Sequence, residues 1–542
     1  MTVASTDRAV APSPSSDVAP AGRATARHLH ILVLIGLAVV VLSVFTVLRY
    51  TVDFLQADGV LQSVMSIQSV DLFFWGQNRF AAFVSLLASP IGDPSTNLFA
   101  CLLINALSFH LLLLVLAWMG VRVLTNSRSA AATGIAFLVL CATAHTLLLP
   151  GRVHIMALES QPYSMSWVFT LGAFMLWKRR EWWAFAVAVG MAGAAIGLNP
   201  TTVVGAAFLA VIELVRRRRW WRWMVFVVAW ALWLAVWQWL SARYGGRSTP
   251  APEPSLPYFT FSLGQFAANM TVSAKTILES FRGARLVVLV VLACLALVAL
   301  DADRRAALVR RFALATVFVV GYWTLFTGNA YVALSGYTFR YFYPVLMFVV
   351  VCVAAPLTAV LAGWPATLAL PERWRDRVAP RTASLRAVST VIAVLATAVA
   401  LAGPLRSPDT APVLTETKAT ARYAIDHQAR FISGYYWDMW PTLWEGLKSG
   451  RDVLFVTGLK SGGDPAGYRD AFREELAKGP GYPRAMCVNL PVSECTPFLD
   501  FWTAPGWQTT GETCPIPPDI EALGSPPPER SCRVLEYRGA RS

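Results

Sequence analysis

The stretch YTVDFLQADGVLQSVMSIQSVDLFFWGQNRF, residues 50–80, decides how this chain is read. It follows directly on an apolar run over 29–49, yet carries Asp53, Asp58 and Asp71 and then Arg79 beyond an aromatic cluster. The run is long enough to cross a hydrocarbon layer about 30 Å thick as a helix. Carboxylates are expensive inside that layer, so the acids mark its exit and face a polar cavity or a partner. From Gly59 onward, Leu61, Val64, Met65 and Leu72 fall on one helical face, with Gln62, Ser66 and Ser69 toward the other. This pattern predicts a helix lying in the membrane interface plane. Asp58 stands at its start, either as an N-cap or as a chemical group.

The rest of the chain repeats the same theme. Of 542 residues, 56% are hydrophobic and only 14% charged, against about 25% charged in a soluble globular chain. Apolar runs bounded by charge or turn residues predict about eleven spans, near 29–49, 97–119, 130–150, 163–177, 182–198, 201–215, 222–241, 285–300, 312–327, 341–362 and 387–404. An odd number sends the termini to opposite sides. The basic runs RRRRWWRW (216–223), DADRRAALVRR (301–311) and ERWRDRVAPR (372–381) then share one side of the membrane, and the positive-inside rule makes it the cytoplasm. The expected orientation is N-in, C-out. The net charge of +14 therefore reports topology, and nucleic acid is not an expected partner.

Three segments follow from this reading: a disordered cytoplasmic leader (1–28), a transmembrane domain (29–404) and an external domain (405–542). The leader is Ala-, Ser- and Pro-rich without an apolar period. In the tail, RFISGYY (430–436), DVLFVTG (452–458), PRAMCVNL (483–490) and CRVLEYR (532–538) read as strands, with helices over DMWPTLWEGLKSG and PAGYRDAFREELAK between them. That alternation predicts a small α/β domain with a partly parallel sheet. Cys487, Cys495, Cys514 and Cys532 all fall in this external part, where an oxidising compartment makes two disulfides the natural reading. Of the three possible connectivities, neighbour pairing (Cys487–Cys495, Cys514–Cys532) is expected.

The chemistry candidates lie in the outer loops. Asp53, Asp58 and Glu159 are acids close to the membrane surface, and Arg79, Arg152 and Arg340 are their basic complement. Arg340 is embedded among aromatics in YTFRYFYP. A guanidinium at an apolar surface suits a lipid phosphate, because its planar fork meets two oxygens at once. The sequence has no GxGxxG and no Walker-type loop. His145 and His154 lack metal-ligand spacing, and the Trp-rich run over 220–239 reads as an interfacial belt with lipid-facing bulk.

An acid-bearing first outer loop continuing into an interfacial helix, an N-in polytopic core, a late Arg340-Tyr341 before Pro344 and an external C-terminal domain together resemble the GT-C superfamily of polyprenyl-phosphate-dependent glycosyltransferases. The likeness covers the whole chain and is architectural more than motif-deep. Family members commonly carry adjacent or once-spaced acids in that loop, whereas Asp53 and Asp58 are five apart. The resemblance implies a sugar donor on a polyprenyl phosphate within the bilayer and a glycan, lipid or protein acceptor on the periplasmic face of a bacterial inner membrane. Asp58 or Asp53 would be the general base, Arg340 with Arg79 or Arg152 would bind the donor phosphate, and Glu159 and Tyr341 would contact acceptor or sugar. No cofactor is required, and a divalent metal stays open. A lipid-linked glycan ligase or polymerase, or a non-enzymatic lipid or solute transporter, are the alternatives.

Overall fold

The apolar run ahead of the acids belongs to a long helix, α1 (Ala21–Phe54), in a computed structural model of the chain. The structure describes residues 21–538 apart from 69, 71, 75–76, 126–128, 160–162, 216–219, 245–262, 330–331, 334–337, 364–381, 450–454, 459–467, 479–482, 503–504 and 515–531. Most of the expected leader, two of the three basic runs in whole or part, and Asp71 thus lie outside the described residues. Helix α1 is described from Ala21.

All eleven apolar runs are helical. After α1 come α2 (Ala57–Gln68), a two-stranded hairpin β1 (Phe73–Phe74) and β2 (Gln77–Ala81), and α3 (Phe83–Ala88). Then follow α4 (Pro94–Thr125), α5 (Ala130–Leu147), α6 (Pro150–Leu158), α7 (Tyr163–Trp177), α8 (Trp182–Leu198), α9 (Thr202–Val215) and α10 (Trp220–Tyr244). The remaining helices of this part are α11 (Leu263–Leu278), α12 (Gly283–Ala299), α13 (Ala302–Thr327), α14 (Tyr343–Gly363) and α15 (Thr382–Leu401). Among the described residues, six helices are long and apolar enough to cross a membrane, in α1, α4, α5, α10, α13 and the segment Phe339–Ala362. Shorter apolar helices include α8, α9, α12 and the end of α15. This is a polytopic, mainly helical membrane-type fold.

Local chemistry explains the joints. Asn199 ends α8, and its side-chain oxygen accepts from the Thr201 amide (3.0 Å) and hydroxyl (2.8 Å), which turns the chain sharply into α9. The Trp-rich helix α10 leaves most of its large apolar side chains exposed, Trp220, Trp221 and Trp239 among them, as the reading of lipid-facing bulk expected. Trp223 and Trp230 are buried, and the Trp237 indole donates to the Gly193 carbonyl at 2.7 Å. Only residues without a Cβ at 193 and 197 leave room for the Trp233 and Trp237 rings.

Helix α2 departs most from expectation. Ten of its residues are buried, Gln62, Ser63 and Ser66 among them, so it is enclosed on its polar face as well as its apolar one. The reason is that its polar side finds protein partners. Asn105 of α4 donates to the Gln62 side chain at 2.8 Å, and Asn97 to Ser66 at 2.9 Å. Gln62 and Ser66 thus each have a partner, as burial demands.

The tail builds a second unit: α16 (Pro412–Asp426), β3 (Ala429–Gly434), α17 (Tyr436–Lys448), β4 (Phe455–Gly458), α18 (Tyr468–Ala477), β5 (Arg484–Val488), α19 (Val492–Trp502), β6 (Trp507–Thr513) and β7 (Cys532–Tyr537). All four expected strands form. The alternating sequence did not announce α16, α19 or β6. The sheet order is β4-β3-β5-β7-β6, parallel across β4-β3-β5 and antiparallel across β5-β7-β6. Cys487 pairs with Cys495 and Cys514 with Cys532, with Cα atoms 6.1 and 5.2 Å apart. One buried apolar cluster runs from Leu61 and Met65 of α2 into Met439, Leu443 and Trp444 of α17. The fully buried Trp444 indole donates to Ser63 of α2 at 3.3 Å.

The exit from β3 depends on Gly434. Its φ is +147°, and a Cβ there would run into the Val488 backbone of β5. Substituting Gly434→Ala is expected to cost about 1–3 kcal/mol of local stability, read as faster limited proteolysis of the external unit in detergent while the membrane helices stay resistant.

Candidate functional site

Four distant pieces of sequence meet at the end of the helical bundle that faces the external unit. Asp58 comes from the first turn of α2. Glu159 follows α6 directly. Arg340 sits on a 3-10 turn, Phe339–Phe342, that feeds α14. Tyr436 opens α17 of the external unit.

Arg340 is the hub. Its Nη1 stands 3.3 Å from the Asp58 carboxylate and 3.6 Å from that of Glu159. The Tyr436 hydroxyl donates to the other Asp58 oxygen at 2.5 Å. Asp58 and Glu159 are only 4% and 5% exposed, so their charges interact through a poorly screened medium. Two carboxylates beside one guanidinium carry one negative charge too many, and a proton is the cheapest remedy. Burial first, and the charge of Asp58 second, push the Glu159 carboxyl up to about 8, against the opposing pull of Arg340. A raised Glu159 carboxyl lessens the excess of negative charge around Arg340. Burial first and Asp58 second also hold the Tyr436 phenol well above its ordinary value, so it remains a donor.

The surroundings fix Arg340. Its guanidinium carbon lies 5.5 Å from the Tyr341 ring centroid, and Arg152 stacks at 4.0 Å on the Phe339 ring next door. Arg152 thus flanks the turn instead of joining the carboxylates. Buried Tyr163 and Tyr343 stack with centroids 5.9 Å apart behind them, and Tyr343 shares a 2.7 Å hydrogen bond with Ser164. Arg340 Nε and Glu159 Oε2 are buried with no hydrogen-bond partner among the described residues.

The residues nominated from the sequence divide clearly. Asp58, Glu159 and Arg340 converge, with Tyr341 buried beside them. Asp53 is exposed on the last turn of α1. Arg79 falls on β2, and its side chain lies outside the described residues. The N-cap role for Asp58 gives way: Ala57 already belongs to the helix, and the carboxylate is bonded to Arg340 and Tyr436. Tyr436 was missed, since no spacing rule connects residue 58 with residue 436. The three buried histidines form a separate seam. His110 and His145 stack at 5.8 Å, His145 contacts the Tyr50 hydroxyl at 3.2 Å, and His154 meets the Tyr50 carbonyl at 3.0 Å.

The cluster can take a proton at Asp58 and steady an anion at Arg340. Asp58 and Glu159 are also the pair that could share a cation in place of the guanidinium. Among the described residues, no group of three or more His, Cys, Asp or Glu side chains is arranged to hold a metal. Neither a family model nor a curated protein matches the chain.

The raised Glu159 group makes stability depend on pH. Because the folded chain holds this proton more tightly than the unfolded one, its contribution is complete below about 4.5 and is lost as pH rises through about 8. Glu159→Gln is expected to flatten the fall in thermal stability across that window, measured by unfolding in detergent from pH 5 to 9.

Proposed function

We propose that this protein is a membrane glycosyltransferase that takes a sugar from a polyprenyl-phosphate donor and passes it to an acceptor hydroxyl outside the membrane. The observation that carries the reading is the buried cluster of Asp58, Glu159 and Arg340. A general base and an anion-stabilising cation stand together, at the edge of an apolar helical bundle.

In this reading Asp58 accepts the proton of the acceptor hydroxyl as its oxygen attacks the anomeric carbon. The bond from that carbon to the phosphate oxygen breaks, and the electron pair leaves with the lipid phosphate. Arg340 meets the growing charge on that phosphate, where a buried guanidinium is worth far more than an exposed one. As Asp58 takes up the acceptor's proton, Arg340 loses its counter-charge and turns its own charge to the departing phosphate. Substrate entry separates Arg340 from Asp58, so the resting ion pair keeps both groups ordered until then. Tyr341 and Glu159 contact the sugar.

The membrane topology belongs to the same proposal. Asp58 follows the first apolar run, Glu159 the third, Arg340 the ninth, and Tyr436 the eleventh. Their meeting at one end is what eleven crossings require, because each of these segments then lies on the same side. With the basic loops in the cytoplasm, that side is periplasmic in a bacterial inner membrane.

Asp58→Asn is expected to lower transfer by about 10²–10⁴-fold, with expression retained and thermal stability lowered because Arg340 loses a buried partner. The assay is purified protein in nanodiscs with polyprenyl-phosphate sugars and product mass spectrometry. A shift of one sugar supports the proposal, and a ladder reassigns the chain to a ligase or polymerase. Full transfer by both Asp58→Asn and Asp53→Asn would sink the mechanism.

A further inference from the structure

The external sheet has a reversal point, and it lies over the buried cluster. Strand β3 is the first of the parallel set. The chain moves to one side of it for β4 and returns to the other side for β5. In open sheets with such a reversal, the loops beyond the carboxyl ends of the two diverging strands part and leave a crevice, the usual place for a ligand. Here β3 runs through Tyr435 into the first turn of α17, Tyr436–Asp438, and the loop Asn489–Pro491 follows β5.

These two segments are bound tightly to each other. The Tyr435 amide donates to the Val488 carbonyl at 2.8 Å, and the Asn489 side chain donates to Asp438 at 2.7 Å. Asn489 adopts a left-handed φ of 54°, a strained conformation that tends to mark functional turns.

Held together in this way, the two segments form a rim that displays aromatic faces. Among the described residues of the external unit, the exposed large apolar side chains are Leu405, Tyr435, Trp437 and Leu476. Both aromatic ones sit on this rim, 46% and 39% exposed. The Trp437 ring packs edge-on against Tyr436, with centroids 5.2 Å apart, and Tyr436 reaches Asp58. A solvent-facing indole is thus one ring away from the carboxylate of the cluster.

We infer that Tyr435 and Trp437 form a platform for a glycan acceptor, stacking on the C–H faces of its sugar rings so that its terminal hydroxyl reaches Asp58. A pyranose suits this surface for two reasons. Its ring face is apolar and flat, matching an exposed indole. Its perimeter hydroxyls match the carboxylate–amide pair of Asp438 and Asn489 at the same edge. The inference rests on the glycosyl-transfer reading for the role of Asp58, while glycan binding itself does not depend on transfer.

The experiment separates the two. Full-length protein in nanodiscs is titrated with defined four- to six-unit oligosaccharides, and binding is read by saturation-transfer NMR and tryptophan fluorescence. Wild type is expected to bind one of these oligosaccharides. Trp437→Ala is expected to weaken it about ten-fold, as loss of one aromatic contact would, and Trp437→Phe to restore most of it. In the transfer assay, Trp437→Ala is expected to raise the acceptor KM by a similar factor with the donor KM unchanged. Binding without transfer in wild type keeps the platform and removes the enzyme reading. Transfer with unaltered binding and acceptor KM in Trp437→Ala and Tyr435→Ala overturns the platform and leaves the enzyme. No binding of any oligosaccharide by wild type also overturns it.

Discussion

One guanidinium between two buried carboxylates is the constraint on which the rest of this structure turns. Arg340 faces both Asp58 and Glu159 with the same nitrogen. Removing one partner of such a pair leaves an uncompensated charge in a poor dielectric, which costs several kcal/mol. The three segments that carry these groups are thereby tied together although they lie far apart in the chain. The raised Glu159 carboxyl follows from the same arithmetic, since one cation cannot balance two buried anions.

The external unit completes this arrangement. Helix α17 supplies Tyr436 to Asp58 and Trp444 to Ser63, and its apolar face extends the core of the bundle. The burial of α2 follows directly. A helix with serine and glutamine on one face needs hydrogen-bond partners there, and α4 and α17 provide them where lipid headgroups could have done so. The aromatic rings at the start of α17 stand beside the carboxylate of α2 for the same reason.

Helices were legible in the sequence because a membrane allows few alternatives: an apolar run that must bury its own backbone polar groups becomes a helix. All eleven runs obeyed that rule. Four strands of the tail were legible for a similar reason, as short apolar stretches between turn residues. Strand β6, WQTTGET, has no apolar run and is buried at only one end, so nothing in its composition distinguishes it from a loop. The neighbour pairing of the cysteines matched expectation because α19, which carries Cys495, follows β5 directly, and β7 returns beside the end of β6.

For the site, residue type and place near the membrane boundary were enough to nominate Asp58, Glu159 and Arg340, since charge at that boundary must be held by something. The choice between Asp53 and Asp58 was beyond the sequence. Both follow the first apolar run, yet one closes α1 facing outward while the other opens α2 facing inward, and that difference is set by the break between two helices. Tyr436 was beyond it altogether. The sequence determined which segments are apolar and which charges stand at their ends, because those are properties of a few neighbouring residues. Only the tertiary structure decided which charges meet, because a contact across hundreds of residues is fixed by how helices pack and leaves no local periodicity behind.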